Sequence, residues 1–151
     1  MRKNAALCLA VALAVPALAA LSPAGRAARR HIALPGRTVT APFSDGVLVG
    51  DTLYLAGRIG LDPKTGKPPE DPALEARLAL DGIKATLAEA GMKMEDIVYF
   101  QVFCSDVQLF EKFNAVYRTY FGKDYPARAF IGSGPLLFGG RFEVQGIAVQ
   151  R

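Results

Sequence analysis

Short apolar runs rich in β-branched residues, separated by Gly, Pro and Asp, indicate a series of β-strands along the chain. Gly50-Asp51 separates two of these runs and is typical of a tight hairpin turn. The predicted strands, in order, are HIAL (31–34), GVLVG (46–50), TLYLAGRIG (52–60), DIVYFQVFC (96–104), ARAFIG (127–132) and RFEVQGIAVQ (141–150).

Two segments between the strands carry apolar residues at helical spacing. The first runs from about 72 to 90, with Asp71 placed to cap its start and Gly91 just past its end. The second runs from about 107 to 121, and the position of Tyr117 within it indicates core packing. Both segments are predicted to be amphipathic helices.

The order of these elements predicts an α+β fold, in which one mixed sheet carries two helices on one face. In the last strand Phe142, Val144, Gly146 and Ala148 alternate with a second set that is part polar and part apolar. The second set faces away from the helices and is not plainly a solvated surface. We therefore expect a homo-oligomer that covers the open face of the sheet.

The first twenty residues, MRKNAALCLAVALAVPALAA, have the three parts of a secretory signal peptide. Arg2 and Lys3 precede an apolar run, and Ala17-Leu18-Ala19 provides a cleavage site after Ala19. The alternative is a membrane anchor, but the unbroken run is well short of the about 20 residues that span a bilayer. The sequence thus predicts a signal peptide (1–19), a flexible leader (20–30), a single domain (31–151) and a secreted or periplasmic protein without a stable membrane anchor.

The charge of the predicted domain argues against a nucleic-acid partner. The formal net charge of the chain is +4, but five of its 18 basic residues precede His31. From His31 onward, 13 Lys and Arg stand against 14 Asp and Glu. A domain with a slight excess of acidic residues lacks the general basic character of nucleic-acid-binding proteins.

The predicted domain has few residues suited to metal or cysteine chemistry. Cys104 is its one cysteine, and His31 is the one histidine of the chain. A single cysteine cannot form an internal disulfide, and the chain lacks the spaced Cys and His pairs of a zinc site. We expect no metal site, and we expect Cys104 to be a small core residue at a strand end.

Arg128 stands in the apolar stretch DYPARAFIGSGPLL, at 124–137. A guanidinium is rarely buried without a partner, because removing an ion from water is costly. Two interpretations follow from the residues alone. Arg128 either lies on the solvent face of an edge strand or is held in a pocket that receives an anion.

Four blocks of the chain, in the same order and spacing, resemble the RidA/YjgF family. No single block is specific, but the ordered set spans nearly the whole predicted domain. The blocks are APFSDGVLVGDTLYLAGRIGLDPKTG, DIVYFQVFCSDVQLFEKFNAVYRTYF, PAR and FEVQGIAV. The resemblance implies a chorismate-mutase-like α+β fold and a homotrimer with a cleft between each pair of subunits.

The resemblance also implies an activity, which is the hydrolysis of reactive 2-imino acids to 2-keto acids and ammonia without metal or cofactor. The family's Arg in the PAR segment binds the substrate carboxylate, and this residue matches Arg128. A planar guanidinium can bind a carboxylate through two parallel hydrogen bonds. Backbone groups of Phe130 and its neighbours are implied to hold the water and the leaving nitrogen.

Other positions of the family site are only partly matched. Gly57 matches the strand glycine, Phe43 stands where the deaminases have Tyr, Arg58 replaces Gln, and Phe130 replaces Cys. Gln145 is placed as a catalytic residue, at the position assigned to the Glu that activates water. An amide orients water but is not a general base near neutral pH.

Glu143 is a candidate to replace the missing carboxylate, because it lies two residues earlier on the same face of the strand. Two functions remain open from the sequence. One is a 2-imino acid deaminase. The other is a non-catalytic trimer that binds small carboxylate ligands through Arg128.

Overall fold

The computed structural model describes residues 28–36 and 42–151, so the predicted signal peptide (1–19) and most of the predicted leader (20–30) lie outside the described residues. No helix in these ranges combines the length and the apolar character needed to cross a membrane. The elements are β1 (Arg29–Ile32), β2 (Gly46–Val49), β3 (Thr52–Ile59), α1 (Pro72–Glu89), β4 (Ile97–Cys104), α2 (Phe110–Tyr117), β5 (Ala127–Gly132) and β6 (Phe142–Val149).

The described strands form one six-stranded sheet in the order β1-β2-β3-β6-β4-β5. The pair β4 and β5 is parallel, with α2 in the crossover between the two strands, and the other neighbours are antiparallel. A two-residue turn at Gly50-Asp51 joins β2 to β3, and Gly50 adopts a positive φ of 61°. The mixed sheet with two helices confirms the predicted α+β fold.

Both helices cover the same face of the sheet, where the hydrophobic core lies. Along β6 every second residue from Phe142 to Ala148 is buried, as the alternation predicts. The ring of Phe113 on α2 lies 5.0 Å from the ring of Phe142. Within residues 28–36 and 42–151 no helix packs on the opposite face, which presents Tyr54, Tyr99 and Ile131 as exposed apolar side chains.

The ends of α1 follow the sequence, whereas α2 is shorter than predicted. The Asp71 carboxylate accepts a hydrogen bond from the Ala73 amide at the start of α1, and Gly91 beyond its end has a φ of 77°. Instead of continuing to 121, α2 ends at Tyr117. Tight bonds from the Thr119 amide to Val116 and from the Tyr120 amide to Tyr117 replace helical ones. The Thr119 hydroxyl also donates to the Val116 carbonyl.

The first strand begins at Arg29, within the stretch expected to be a flexible leader. Arg29 and Arg30 pair with Val49 and Leu48 of β2. The Arg30 guanidinium donates to the carbonyls of Glu89 and Ala90, at 3.1 Å each. A cation at the C-terminal end of a helix is favourable, because unsatisfied carbonyls concentrate negative charge there. This contact stabilises β1 at residues before the start that the apolar pattern predicts.

Cys104 is fully buried, as expected of a core residue. Burial raises the pKa of its thiol, and the thiol donates a hydrogen bond to the Asp106 carbonyl at 3.0 Å. The thiolate is the reactive form of cysteine. Cys104 is therefore a structural residue.

We expect Cys104 to resist modification by a neutral disulfide reagent at pH 8. Its modification should be at least about 10³-fold slower than in guanidinium, because only transiently unfolded chains expose the thiol. A Cys8→Ser background removes the other thiol of the chain, and the rate is read from absorbance. Equal rates in the native and denatured protein would contradict the buried placement.

A buried ion pair ties the start of β6 to α1 and to the loop before α1. The Glu75 carboxylate is fully buried and accepts hydrogen bonds from Arg141 Nε at 2.5 Å and from the Arg141 amide at 2.6 Å. The Phe142 amide adds a third at 3.1 Å. The Arg141 guanidinium also donates to the carbonyls of Pro69 and Glu70. The network fixes the backbone two residues before Glu143.

We predict that Glu75→Ala lowers the free energy of unfolding by about 3–5 kcal/mol, because it leaves a guanidinium and two backbone amides without their acceptor. Urea unfolding at matched protein concentration measures the change. Glu75→Gln is the matched control, since its one carbonyl oxygen retains part of the network at a smaller cost. A loss below about 1 kcal/mol for Glu75→Ala would mean that water replaces the carboxylate.

Candidate functional site

A cavity of about 390 Å³ lies where β3 and β6 run side by side, below the loop that precedes β6. This volume falls within the usual range of ligand sites. Three predicted site residues, Phe43, Gly57 and Arg58, line it together with Glu143. The remaining wall is apolar and consists of Ala56, Ile59, Leu61, Leu137 and Phe138.

Gly57 and Glu143 are in close contact in this cavity. The register of β3 against β6 shifts between Leu55 and Arg58, so the β3 backbone is irregular at Gly57. A Cβ atom at Gly57 would lie 2.1 Å from Glu143 Oε1. A larger residue at position 57 would displace the carboxylate from this position. The structure thus places a carboxylate directly against bare strand backbone.

Arg58 borders the cavity but turns toward the helix side of the sheet. Its guanidinium donates to Asp45 Oδ1 at 3.0 Å, and the Asp45 side chain is 3% exposed. Asp45 Oδ2 accepts from the Leu34 amide. The aliphatic part of Arg58 packs so closely on Gly82 of α1 that a Cβ there would lie 2.8 Å away. The ion pair joins β1, β3 and the segment before β2.

Arg128 lies on the edge strand β5, and its side chain faces α2. Its register partner on β4 is Phe100, which is fully buried on the helix side. The guanidinium carbon lies 4.6 Å from the centre of the Tyr117 ring. A cation over an aromatic face is held by the charge distribution of the ring. Arg128 is thus both at a sheet edge and stacked in a half-buried aromatic setting.

Phe130 belongs to the same aromatic setting rather than to the first cavity. Its ring meets Phe110 edge-on at 4.9 Å and Phe113 at 5.7 Å. Such edge-to-face pairs add to the energy of burial. The side chain of Phe130 therefore fastens β5 to α2 and holds the strand that carries Arg128.

The space beside Arg128 is a second cavity of about 260 Å³, between α2 and β5. Asn114 and Tyr117 form its inner wall. Among the described residues, Asn114 Oδ1 and the Tyr117 hydroxyl are buried without a hydrogen-bond partner. Burial raises the pKa of Tyr117 to about 12, against the lowering effect of the Arg128 charge, so the phenol is neutral at physiological pH. Unpaired buried polar atoms are rare in native folds.

Gln145 lies in a third place, in the middle of the open sheet face. Its side-chain amide donates to Gln101 Oε1 at 2.9 Å, and the two residues are register partners on β6 and β4. A shallow pocket around Gln145 is lined by Tyr54 and Tyr99. Gln145 does not line the cavity that contains Gly57 and Phe43.

Arg128 and the first cavity do not meet within one chain. Glu143 is level with Ile131 across β4, so it lies two strands and three residues from Arg128, roughly 10 Å in each direction. The two side chains also point to opposite faces of the sheet. One chain therefore carries two separate half-sites, one cationic and aromatic, the other with a carboxylate and an apolar wall.

Several residues of these half-sites were not singled out from the sequence. The sequence around Asn114 indicates a helix but no role in a site. Tyr117 is predicted to be a core residue, and its exposure of 3% confirms this. Leu137 and Phe138 lie in a Gly- and Pro-rich loop whose side chains have no period to indicate their direction. No cluster of His, Cys, Asp and Glu in 28–36 and 42–151 could hold a metal ion.

The fold and the two half-sites define a small α+β domain with candidate ligand-binding residues on both sides of one sheet. The sequence profile of the family described as endoribonuclease L-PSP matches residues 36–150. The chain belongs to this family, which is the RidA/YjgF family of the sequence resemblance.

Named relatives agree with this assignment. The 2-iminobutanoate/2-iminopropanoate deaminase of Bos taurus is 40% identical over 110 residues, covering 72% of this chain and 80% of that protein. The enzyme of the same name from Escherichia coli K12 is 37% identical over 113 residues, covering 73% and 88%.

Solved structures share the fold. The YjgF gene product of E. coli superimposes with a TM-score of 0.74 at 35% identity, covering 81% of this chain and 99% of that chain. E. coli TdcF with bound serine has a TM-score of 0.70 at 32% identity, covering 74% and 90%.

Proposed function

We propose that the protein is a 2-imino acid deaminase, which converts imines to 2-keto acids and ammonia in clefts between the subunits of a homotrimer. The observation that carries this proposal is the division of the site. A stacked guanidinium at one sheet edge and a carboxylate against bare backbone are both present, yet they lie apart on one chain. The names of the relatives supply the reaction.

We assign the binding of the substrate carboxylate to Arg128. Its edge strand leaves the guanidinium accessible to a neighbouring subunit, and the guanidinium carbon lies 4.6 Å from the centre of the Tyr117 ring. The planar fork of a guanidinium can bind a carboxylate through two parallel hydrogen bonds. The serine bound in the TdcF structure is a ligand with such a carboxylate.

We assign the activation of the attacking water to Glu143 rather than to Gln145. Its carboxylate takes a proton from water as the water oxygen bonds to the imine carbon, and the C=N electrons move to nitrogen. Glu143 returns this proton to nitrogen, which gives a neutral carbinolamine. It then takes the proton of the new hydroxyl group and passes it to nitrogen, so that the C–N bond breaks as C=O forms and ammonia leaves. Gln145 is bonded to Gln101 away from the cavity, so its lack of a basic group does not count against catalysis.

The open face of the sheet supports assembly. Tyr54, Tyr99 and Ile131 are exposed there, and burial of such residues between subunits is favourable. A cyclic trimer repeats one interface three times and would bring the edge of one sheet to its neighbour.

Two other aspects of the proposal concern RNA and location. The predicted domain has more acidic than basic residues, and its single histidine, His31, lines neither cavity, so we favour imine hydrolysis over RNA cleavage. With a signal peptide at 1–19, the reaction would take place outside the cytoplasm. A local source of imines, such as an exported amino-acid oxidase, would then be required.

The test of the proposal generates imines with an amino-acid oxidase and times the release of keto acid with and without the protein. Acceleration supports the deaminase. No acceleration with any imine would refute it and leave carboxylate binding through Arg128 as the function to measure.

The division of the site between subunits is tested by mixing two variants, Arg128→Ala and Glu143→Gln, in one cell. Each alone should be inactive, but mixed trimers should regain about a quarter of wild-type activity, because that fraction of clefts combines two intact halves. Mixing Arg128→Ala with the double variant supplies no Arg128 and serves as the control. A mixture as inactive as its control would refute a cleft that combines Arg128 of one subunit with Glu143 of another.

A further inference from the structure

The loop before β6 presents two large apolar side chains at the cavity that contains Glu143. Leu137 is 70% exposed and Phe138 is 67% exposed, the largest values among the exposed hydrophobic residues. Both line this cavity, opposite Gly57 and Phe43. Exposed apolar side chains of this size lower the solubility of a protein. Their position at a cavity therefore indicates a function in ligand binding.

The backbone of Phe138 is unusual. Its φ is 60°, a left-handed conformation that bulky residues rarely adopt, and it is the only non-glycine residue with positive φ in 28–36 and 42–151. Strain of this kind persists only where the surrounding structure imposes it, and it is common at ligand sites. The conformation therefore holds the Phe138 ring at the cavity at some cost to the fold.

The loop is anchored rather than loose. The Gly140 amide donates to the Leu137 carbonyl at 3.0 Å, which closes the turn. Directly after it, Arg141 enters the buried network of Glu75, and the Arg141 carbonyl accepts from the Ser105 amide. The apolar wall is thus held at a fixed distance from Glu143.

The chemistry of the wall indicates what it receives. Five apolar side chains, Phe43, Ile59, Leu61, Leu137 and Phe138, surround one carboxylate, and the other charged residue of the lining, Arg58, is paired with Asp45. A substrate with only a methyl or ethyl side chain would leave much of the 390 Å³ unfilled. A branched or aromatic side chain would cover the exposed rings and remove them from water.

We propose that the cavity selects 2-imino acids with bulky apolar side chains, of the kind derived from leucine and phenylalanine, with Phe138 and Leu137 as the specificity-determining residues. This inference rests on the proposed deaminase function. It departs from the small 2-iminobutanoate and 2-iminopropanoate in the names of the relatives. One methylene in an apolar pocket is worth roughly 10- to 200-fold in kcat/KM.

The experiment compares kcat/KM for imines generated from alanine, leucine and phenylalanine. We expect the two larger imines to be preferred over the alanine-derived imine by at least about tenfold. Phe138→Asn removes the ring but suits the left-handed backbone, and it should reduce the preference about tenfold. Leu74→Ser removes an exposed apolar side chain of α1 that does not line the cavity, and should leave the preference unchanged.

A second measurement separates specificity from catalysis. Isothermal titration with the 2-keto acids of leucine and alanine reports binding whether or not the imines are hydrolysed. If no imine is hydrolysed but the larger keto acid binds more tightly and loses this advantage in Phe138→Asn, the proposed function fails and the apolar subsite stands. Equal or reversed preference in both assays would overturn the inference while leaving any measured deaminase activity intact. A Phe138→Asn protein that loses its oligomeric state would also overturn it, because the ring would then belong to the subunit interface.

Discussion

Arg128→Ala is expected to reduce imine hydrolysis strongly. Removing one partner of a buried, hydrogen-bonded charge pair costs about 2–5 kcal/mol, which corresponds to roughly 30- to 4,000-fold in kcat/KM. The loss should appear mainly in KM if Arg128 only binds the carboxylate, and in kcat as well if it also orients the imine carbon toward water. Steady-state kinetics with the oxidase-generated imines measure both.

Two further variants make this prediction specific. Arg128→Lys keeps the positive charge but loses the planar fork and the stacking on Tyr117, so it should recover only part of the activity. Arg118→Ala removes another arginine from the same cavity, one whose exposed side chain lies 3.8 Å from Glu111, and should retain near-normal activity. If Arg128→Ala kept most of the activity, the carboxylate would bind elsewhere.

The fold follows from local patterns to a large extent. Alternation along β6 and the Asp71 and Gly91 signals at the ends of α1 are properties of consecutive residues, and the structure agrees with them. The end of α2 is different, because tighter turns replace the helical bonds at 118–120, where the Thr119 hydroxyl also bonds to the Val116 carbonyl. The amino-acid composition of this segment does not predict where the helix ends and the tighter turns begin.

The candidate site is less accessible to sequence reasoning. Glu143 and Gln145 share one face of one strand, and the alternation cannot distinguish them. The pairing of β6 with its neighbouring strands distinguishes the two residues. Glu143 is opposite Ile59 at the irregular end of β3, and Gln145 is opposite Gln101 on β4. Register is set by the whole sheet, so the position next to Gly57 becomes visible only in three dimensions.

The division of the site has a physical cause of the same kind. Arg128 stands where an edge strand and α2 meet, and its aromatic neighbours come from a helix that the sequence indicates only as amphipathic. Nothing in a single chain brings this half-site to Glu143, because the sheet separates them. In the proposed function a second copy completes the cleft, which would link the apolar open face to the chemistry.

Glu143→Gln is expected to reduce kcat by about 10²–10⁴-fold with little change in KM, because it removes a general base while keeping the size and hydrogen bonding of the side chain. Glu143 is the one carboxylate residue among the described residues that line this cavity. Steady-state kinetics of the variant and of the wild type with oxidase-generated imines check the assignment.

The matched comparison uses variants of Gln145. The two possible assignments of the water-activating residue, Gln145 and Glu143, predict different effects for these variants. If Gln145 occupied the water-activating position, Gln145→Glu would raise kcat and Gln145→Ala would lower it. With Glu143 in that position, both changes should alter kcat by less than about threefold, apart from any weakening of the sheet where the bond to Gln101 is lost. A gain of tenfold or more in Gln145→Glu, with Glu143→Gln near wild type, would transfer the role to Gln145. The opposite pattern would identify the carboxylate that lies against Gly57 as the group that activates water.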